Sequence, residues 1–511
     1  MQRVFVLFLL LCLIPWGVYQ LNIRVPGDAA YLMSGAVHLL NGQSMSEYFF
    51  DSNPPMCYMI YTPALLLQNI GIAPYNTITV YGFILILMNL CLCQLLLKRD
   101  KSLSSRTKNI LTTGIALSIT LPATLEFGQK DHLILIGIIP FLLMQYQLLN
   151  RVNIPILLGL AIALFSVPFI LIKPHYGLLP TALILIRVIQ SKNIKAFIQT
   201  DFIALAIGSI AYIIFIALYT PDYIENILPV IMDIYVNMRG DETLELYKTA
   251  ISFITLCSFI GVIAWAQHNN NEEKKLNIIF ITLAILSIIP FILQNKGFSI
   301  HLYPAFGLII ISLVMLIPAF LKNKTTPFTI ALILIIASYT LLFTTIIAKR
   351  PPLTHADYLN SKITAIIREE ARDKPFLIID STTNTNYIPA MYVPNTLGSR
   401  FSSFWFIGSI MNIENESYKI SLLNQFALYI TQDLERYKPE VIAIVQMPEG
   451  RSPFEIVYEK HNTIQDEMNK YSFLKIVTID NKYESYRDAF APKPDDLENL
   501  KLSFSIYKRN P

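Results

Sequence analysis

The chain has 511 residues, 54% hydrophobic and 15% charged, with a formal net charge of +4 and a mean hydropathy of +0.49. A soluble protein carries about a quarter of its residues as Asp, Glu, Lys and Arg. Low charge with long apolar runs therefore excludes an ordinary soluble enzyme and indicates an integral membrane protein, and so small a net charge gives no basis for a nucleic-acid partner.

In chain order, Arg3 precedes an apolar run that ends near Tyr19. The following VYQLNIRVP has no small-residue cleavage site, so the run reads as a retained first span rather than a signal peptide. Apolar stretches between polar breaks then predict spans near 4–20, 77–97, 109–125, 133–149, 154–172, 177–190, 202–219, 249–267, 277–294, 301–321 and 328–348, about eleven in all. The run 57–72 contains Pro63, Gln68 and Asn69 and reads as interfacial.

Charge distribution tests this parity. With the N-terminus inside, the cytoplasmic connections carry Arg3, Lys98, Arg99, Lys101, Arg106, Lys108, Arg151, Lys192, Lys195, Lys274, Lys275, Lys322 and Lys324. The opposite loops carry only Arg24, Lys130, Lys173, Arg239, Lys248 and Lys296. This is a positive-inside bias, and counting 57–72 as a span would destroy it. The predicted architecture is a polytopic α-helical membrane domain over 1–349, with a first outer loop at 21–76, and a C-terminal α/β domain over 350–511 on the outer side. In the tail, Lys349-Arg350-Pro351-Pro352 breaks the last helix. Strand-like runs at 376–380, 441–445, 473–480 and 502–507, with a helix at 420–437 between the first two, predict a small α/β fold.

Four cysteines, Cys12, Cys91, Cys93 and Cys257, fall inside apolar runs, and Cys57 borders a polar loop. No disulfide framework or CxxC pair follows from them. No HExxH, Walker, GxGxxG or GxSxG pattern occurs in the context its chemistry requires.

The outer loops hold the unusual polar residues. In the first, Asp28 precedes a helical apolar pattern ending at Asn41-Gly42, which predicts a helix along the membrane surface with Asp28 as its N-cap. A cap keeps the carboxylate ionised but weakens it as a base. Asp51 opens the turn Asp51-Ser52-Asn53-Pro54-Pro55, where it either stabilises the turn or contacts substrate or metal. Three further loops read Glu126-Phe-Gly-Gln-Lys130-Asp131-His132, Lys173-Pro-His175-Tyr176 and Gln294-Asn-Lys296-Gly-Phe-Ser-Ile-His301. Ionisable groups at span ends are costly unless solvated or paired, and mark a site where they converge. Read blandly, the lysines snorkel and the histidines are satisfied interfacial residues. As a set with Arg24, they suit a bound phosphate.

The stretches GDAAYLMSGAVHLLNG, FFDSNPP, FGQKDHL, KPHYG and QNKGFSIHLYP resemble the loop motifs of GT-C class membrane glycosyltransferases. The branch they resemble is the bacterial one related to protein O-mannosyltransferases and lipid A aminoarabinose transferases. The resemblance covers roughly residues 1–350. Protein O-mannosyltransferases carry adjacent Asp-Glu in the first loop, whereas here Ala29 follows Asp28. The resemblance implies a polytopic enzyme of the bacterial inner membrane, with the N-terminus cytoplasmic and the C-terminal domain periplasmic. It would move a sugar from a polyprenyl-phosphate donor to a hydroxyl of a lipid, glycan or protein acceptor, by inverting single displacement. Asp28 would be the general base. Lys130, Lys173, Lys296 and Arg24 would hold the departing phosphate. Asp131 or His132 would orient one of these groups or the acceptor, with Asp51, His175 and His301 as further substrate contacts. No cofactor is required, and a divalent metal held by Asp28 with Asp51 is compatible with the chemistry. Two rival readings remain at this point: a transporter or flippase of lipid-linked sugars, which would need polar groups at mid-membrane, and a non-catalytic envelope scaffold.

Overall fold

The computed structural model describes residues 14, 16–123, 126–237, 243–267, 271–294, 299–322, 354–359, 361–380, 390–393, 396–446, 453–479 and 502–511. Most of the predicted first span, all of the predicted span 328–348, and Lys296 lie outside the described residues. The chain divides into two compact units. One comprises Met1–Leu21, Thr79–Ile214 and Asp241–Pro352, the other Asn22–Ile78, Phe215–Gly240 and Leu353–Pro511. Residues 22–78, essentially the predicted first outer loop, thus group with the C-terminal region.

The first unit is helical. Among the described residues, six helices are long and apolar enough to cross a membrane: Pro74–Arg99, Lys130–Leu149, Thr200–Tyr219, Leu246–Gln267, Asn271–Gln294 and Ile300–Ile317. Shorter apolar helices run over Ile156–Ile172 and Leu178–Ser191. The predicted span 109–125 begins earlier and ends sooner, as helix Ser105–Ser118. The Ser104 side chain accepts from Thr107 N–H to start it, and Pro122 denies it a continuation.

Burial separates central from peripheral helices. The Lys130–Leu149 window is 94% buried and the Thr200–Tyr219 window 6% buried, so the latter directs its apolar surface outward, as a lipid-facing helix does. Close approach is set by small residues. A Cβ placed on Gly137 would lie 2.2 Å from Cβ of Phe169, on the Ile156–Ile172 helix. Buried polar side chains are tied across helices: Asn89 Nδ2 donates to Ile136 O at 2.5 Å and Gln147 Nε2 to Leu96 O at 2.8 Å. Arg187, inside an apolar helix, makes a two-pronged pair with Asp201 at 2.9 and 3.0 Å. Fork-to-fork geometry of this kind is what makes a buried charge pair tolerable.

The second unit contains helix Gly27–Leu40, as the apolar spacing predicts. Its cap is not as predicted. Pro26 holds the N-cap position, no side chain caps the helix, and Asp28 lies in the first turn, half-buried. Pro26 has ψ of 136° and no N–H to satisfy, so it starts the helix without an acceptor side chain. The helix packs on the short helices Met56–Met59 and Thr62–Asn69. Tyr31 Oη donates to Phe49 O at 3.1 Å and lies 3.0 Å from Tyr58 Oη.

Among the described residues, four strands form the sheet of this unit: β1 (Phe376–Ile379), β2 (Val441–Gln446), β3 (Tyr471–Ile479) and β4 (Leu502–Arg509), in spatial order β1-β2-β4-β3. β1 and β2 are parallel, and the other pairings antiparallel. The parallel pair needs a long connection, and helix Glu416–Tyr437 lies within it. Phe376, Ile378, Val441, Ala443, Phe504 and Ile506 form the core beneath the sheet.

Candidate active site

The Glu126–His132 segment is shaped by two features. Gly128 has φ of +81°, a conformation that a Cβ disfavours. His132, fully buried, then holds the turn closed. Gly128 N–H donates to its Nδ1 at 3.0 Å, and its Nε2 lies 2.7 Å from Ile119 O. A backbone N–H can only donate and a carbonyl can only accept, so the proton is on Nε2 and the ring is neutral. Both nitrogens are engaged within the protein, and His132 is therefore a positioning residue for the turn.

That turn delivers Asp131 to the first turn of helix Lys130–Leu149, where Gln129 Oε1 accepts from Asp131 N–H at 3.2 Å. Asp131 is completely buried. Lys173 reaches it from the end of helix Ile156–Ile172, with Nζ 2.8 Å from Oδ1 and 2.9 Å from Oδ2. The same ammonium donates to Gln294 Oε1 at 3.1 Å and to His301 Nδ1 at 3.0 Å. An ammonium has three protons, so one is shared between the carboxylate oxygens and all three are engaged. His301 accepts at Nδ1, which places its proton on Nε2.

Three loops, far apart in sequence, thus meet on one cation. Tyr176 Oη donates to His301 O at 2.9 Å, which pins the Pro174–Gly177 turn to the Ser299–Leu302 turn. His175 is partly buried. Its Nε2 is shielded from solvent and has no hydrogen-bond partner among the described residues. Burial, reinforced by the Lys173 charge and opposed by Asp131, lowers its pKa to about 4, so it is neutral at physiological pH. An imidazole nitrogen in that state can accept from, or donate to, a hydroxyl. Lys130 is also largely buried.

Of the other predicted site residues, Arg24, Asp28 and Asp51 belong to the second unit. Asp51 is buried. Its Oδ1 accepts from Ser52 N–H at 2.7 Å and its Oδ2 from Asn53 Nδ2 at 2.6 Å, a self-bonded turn of the kind Asp favours. Arg24 and Asp28 are both half-buried.

Two residues that the sequence did not single out hold this loop. Asp222 Oδ2 accepts from Ser44 Oγ at 2.8 Å and Ser46 N–H at 2.6 Å, and its Oδ1 from Ser46 Oγ at 2.8 Å. Burial disfavours its ionised form, yet these bonds and one from Asn226 outweigh burial and lower its pKa. Arg400, 2% exposed, donates from Nη1 to Ser46 O at 3.0 Å and from Nε to Asp433 Oδ1 at 2.8 Å. Phe50 packs on Phe401 and Phe426. No local motif announces the hold on Ser46, since it lies 176 positions from Asp222 and 354 from Arg400.

No protein-family profile matches this chain, and no curated protein matches it. Among solved structures, the crystal structure of ArnT from Cupriavidus metallidurans in the apo state aligns with 98% of this chain and 97% of its own, at 10% identity and a TM-score of 0.43. An identity of 10% leaves the roles of individual residues to be argued from their own geometry.

Proposed function

We propose that this chain is a GT-C class membrane glycosyltransferase that moves a sugar from a polyprenyl-phosphate donor to an acceptor hydroxyl on the periplasmic face. The observation that carries the reading is the meeting of FGQKDHL, KPHYG and the QNKGFSIHLYP loop on Lys173. These are three of the stretches whose resemblance suggests the family, and Asp131, Gln294 and His301 supply the contacts.

In this reading the acceptor oxygen attacks the anomeric carbon as the bond to the phosphate oxygen breaks. The hydroxyl proton passes to Asp28, assigned as base by the sequence resemblance. The leaving lipid phosphate gains charge in the transition state. Lys130, Lys296 and Arg24 are assigned to its oxygens. Lys173, whose protons are engaged, acts by its field and by fixing the loops. His175 Nε2, a neutral buried nitrogen, is assigned to a sugar or acceptor hydroxyl. Orientation of two lipid-held substrates supplies a large part of the rate.

The test is transfer by the purified full-length protein from a panel of synthetic polyprenyl-phosphate sugars, comparing wild type with Asp28→Asn and repeating each assay with chelator. Turnover by wild type and its loss in Asp28→Asn, with donor binding intact, is the expected result. Undiminished turnover in the variant would remove Asp28 as base, and absence of transfer from every donor by wild type would sink the reading.

A further inference from the structure

Arg24, assigned above to the leaving phosphate, lies in a short stretch outside any helix. A long side chain places its charge only as well as its backbone is held. On one side of Arg24, the buried Ile23 forms an antiparallel bridge with Thr354, and His355 N–H donates to Asn22 O at 3.1 Å. On the other side come the buried Val25 and then Pro26, the N-cap of helix Gly27–Leu40, whose ring fixes φ. Arg24 thus sits between two fixed points. All of these residues belong to the second unit.

The far strand of the bridge is anchored in the C-terminal region. Thr354 N–H and Oγ1 each donate to Asp357 Oδ2 at 2.7 Å, which fixes the entry to the short helix His355–Leu359. The His355 side chain is buried, and its Nδ1 lies 2.6 Å from Tyr392 Oη. Tyr392 is itself held at two points. Its ring stacks on Tyr75, with 5.3 Å between centroids and 16° between planes. Its carbonyl accepts from Arg368 Nη2 at 3.2 Å. The Tyr75 ring also lies 4.8 Å from the His355 ring. A hydrogen bond enclosed by aromatic rings is stronger than one exposed to water, and it fixes the orientation of both partners.

The line of contacts therefore runs from Tyr392 through the His355 ring to the His355 backbone, across the bridge to Asn22 and Ile23, and so to Arg24. We propose that His355 and Tyr392 are positioning residues for Arg24, setting where its guanidinium meets the phosphate that leaves. They act through Arg24. The proposal rests on the glycosyltransferase reading for the role of Arg24, and on the contacts above for the link. Charge on the phosphate grows as the bond to the sugar breaks, so a displaced guanidinium loses more in the transition state than in the ground state.

The test removes one hydroxyl from the purified full-length protein. Tyr392→Phe deletes the partner of His355 Nδ1 and keeps the ring stacked on Tyr75. Amide exchange, followed by mass spectrometry, is expected to quicken at His355 and over residues 22–25, with helix Glu416–Tyr437 unchanged. With a polyprenyl-phosphate sugar that wild type uses, kcat is expected to fall about tenfold and the donor KM to change far less, since a misplacement of about 1 Å costs up to about a hundredfold. In an Arg24→Gln background, Tyr392→Phe should lose most of its effect on kcat. Where Tyr392→Phe does not fold, the contrast between His355→Ala and His355→Asn, whose amide can stand in for Nδ1, decides on the same readouts. Unchanged exchange, or losses in kcat that simply add, would overturn the proposal. Absence of transfer from every donor by wild type would overturn the glycosyltransferase reading instead, and the exchange result would still decide whether His355 and Tyr392 hold Arg24.

Discussion

Lys173 Nζ contacts both oxygens of the completely buried Asp131, at 2.8 and 2.9 Å, across 42 residues of sequence. Removing one member of such a pair strands a buried charge, which costs about 3–5 kcal/mol, whereas replacing both with apolar residues of similar size costs much less. Lys173→Met and Asp131→Leu are each expected to destabilise the protein by that amount, and the double variant to recover most of the loss. Chemical denaturation in detergent measures this. Strict additivity of the two losses would show that the pair is not a unit.

His132 lies one residue from Asp131, yet its role is separate. His132→Ala leaves Gly128 N–H and Ile119 O without the ring nitrogens they now meet. Each orphaned buried group costs about 1–3 kcal/mol. The turn before helix Lys130–Leu149 is expected to open, with faster amide exchange at Gly128 than elsewhere in that segment. Unchanged exchange there would show that the glycine conformation alone holds the turn.

The described helices were legible where an apolar run is closed by polar or proline residues, helix Gly27–Leu40 followed from periodicity, and the four strands from short β-branched or aromatic runs. Interior contacts were less legible. Arg187 was hidden inside an apolar span, because its partner Asp201 opens the next helix. The candidate site was partly readable, since Asp131, Lys173 and His301 stand out as ionisable groups at span ends. Their wiring was not readable. No spacing rule says that Lys173 engages Asp131, Gln294 and His301 together, that the two nitrogens of His132 meet Gly128 and Ile119, or that Pro26 rather than Asp28 holds the cap. The grouping of residues 22–78 with the C-terminal region was invisible for the same reason: it is made by contacts such as Arg400 to Ser46 that span most of the chain.

His175 gives a pH dependence with a definite sign. In the folded protein its pKa falls to about 4, whereas the unfolded chain titrates it near 6.5. Between these values the unfolded state binds the extra proton, so stability falls as pH drops from about 6.5 towards 4. His175→Gln is expected to make that part of the profile shallower, read as the unfolding midpoint against pH, with the rest of the slope carried by the buried neutral rings of His132 and His301. A profile of the same slope in the variant would remove His175 as its source.

Helix packing beside the site is tight enough for a single methyl group to register. A Cβ on Gly137 would lie 2.2 and 2.3 Å from Cβ and Cγ of Phe169, atoms next to the backbone that cannot swing away. Gly137→Ala must therefore push the two helices apart, at a cost of about 1–3 kcal/mol. Ala also raises helix propensity by about 1 kcal/mol, so the net loss should be small in the single variant. It should reverse to a gain when Phe169→Gly, which removes that Cβ, is added. A double variant no more stable than Phe169→Gly alone would contradict the steric account.

The segment 44–46 is held from two sides within the second unit, by Asp222 and by Arg400. The Asp222 carboxyl is lowered in the folded state, so its contribution is complete above the unfolded value near 3.9 and is lost as pH falls through the folded one. Asp222→Asn keeps the shape but halves the acceptors, and is expected to cost about 1–2 kcal/mol at neutral pH. Arg400→Lys should cost more, because an ammonium cannot reach Asp433 and Ser46 O together as the guanidinium does. Under the proposed function this segment follows the helix that carries Asp28, so both variants should lower turnover more than donor affinity. Limited proteolysis between residues 41 and 48, alongside the transfer assay, separates the outcomes. Faster cleavage with unchanged turnover would make the clamp purely structural, and unchanged cleavage would show that these bonds do not hold the loop.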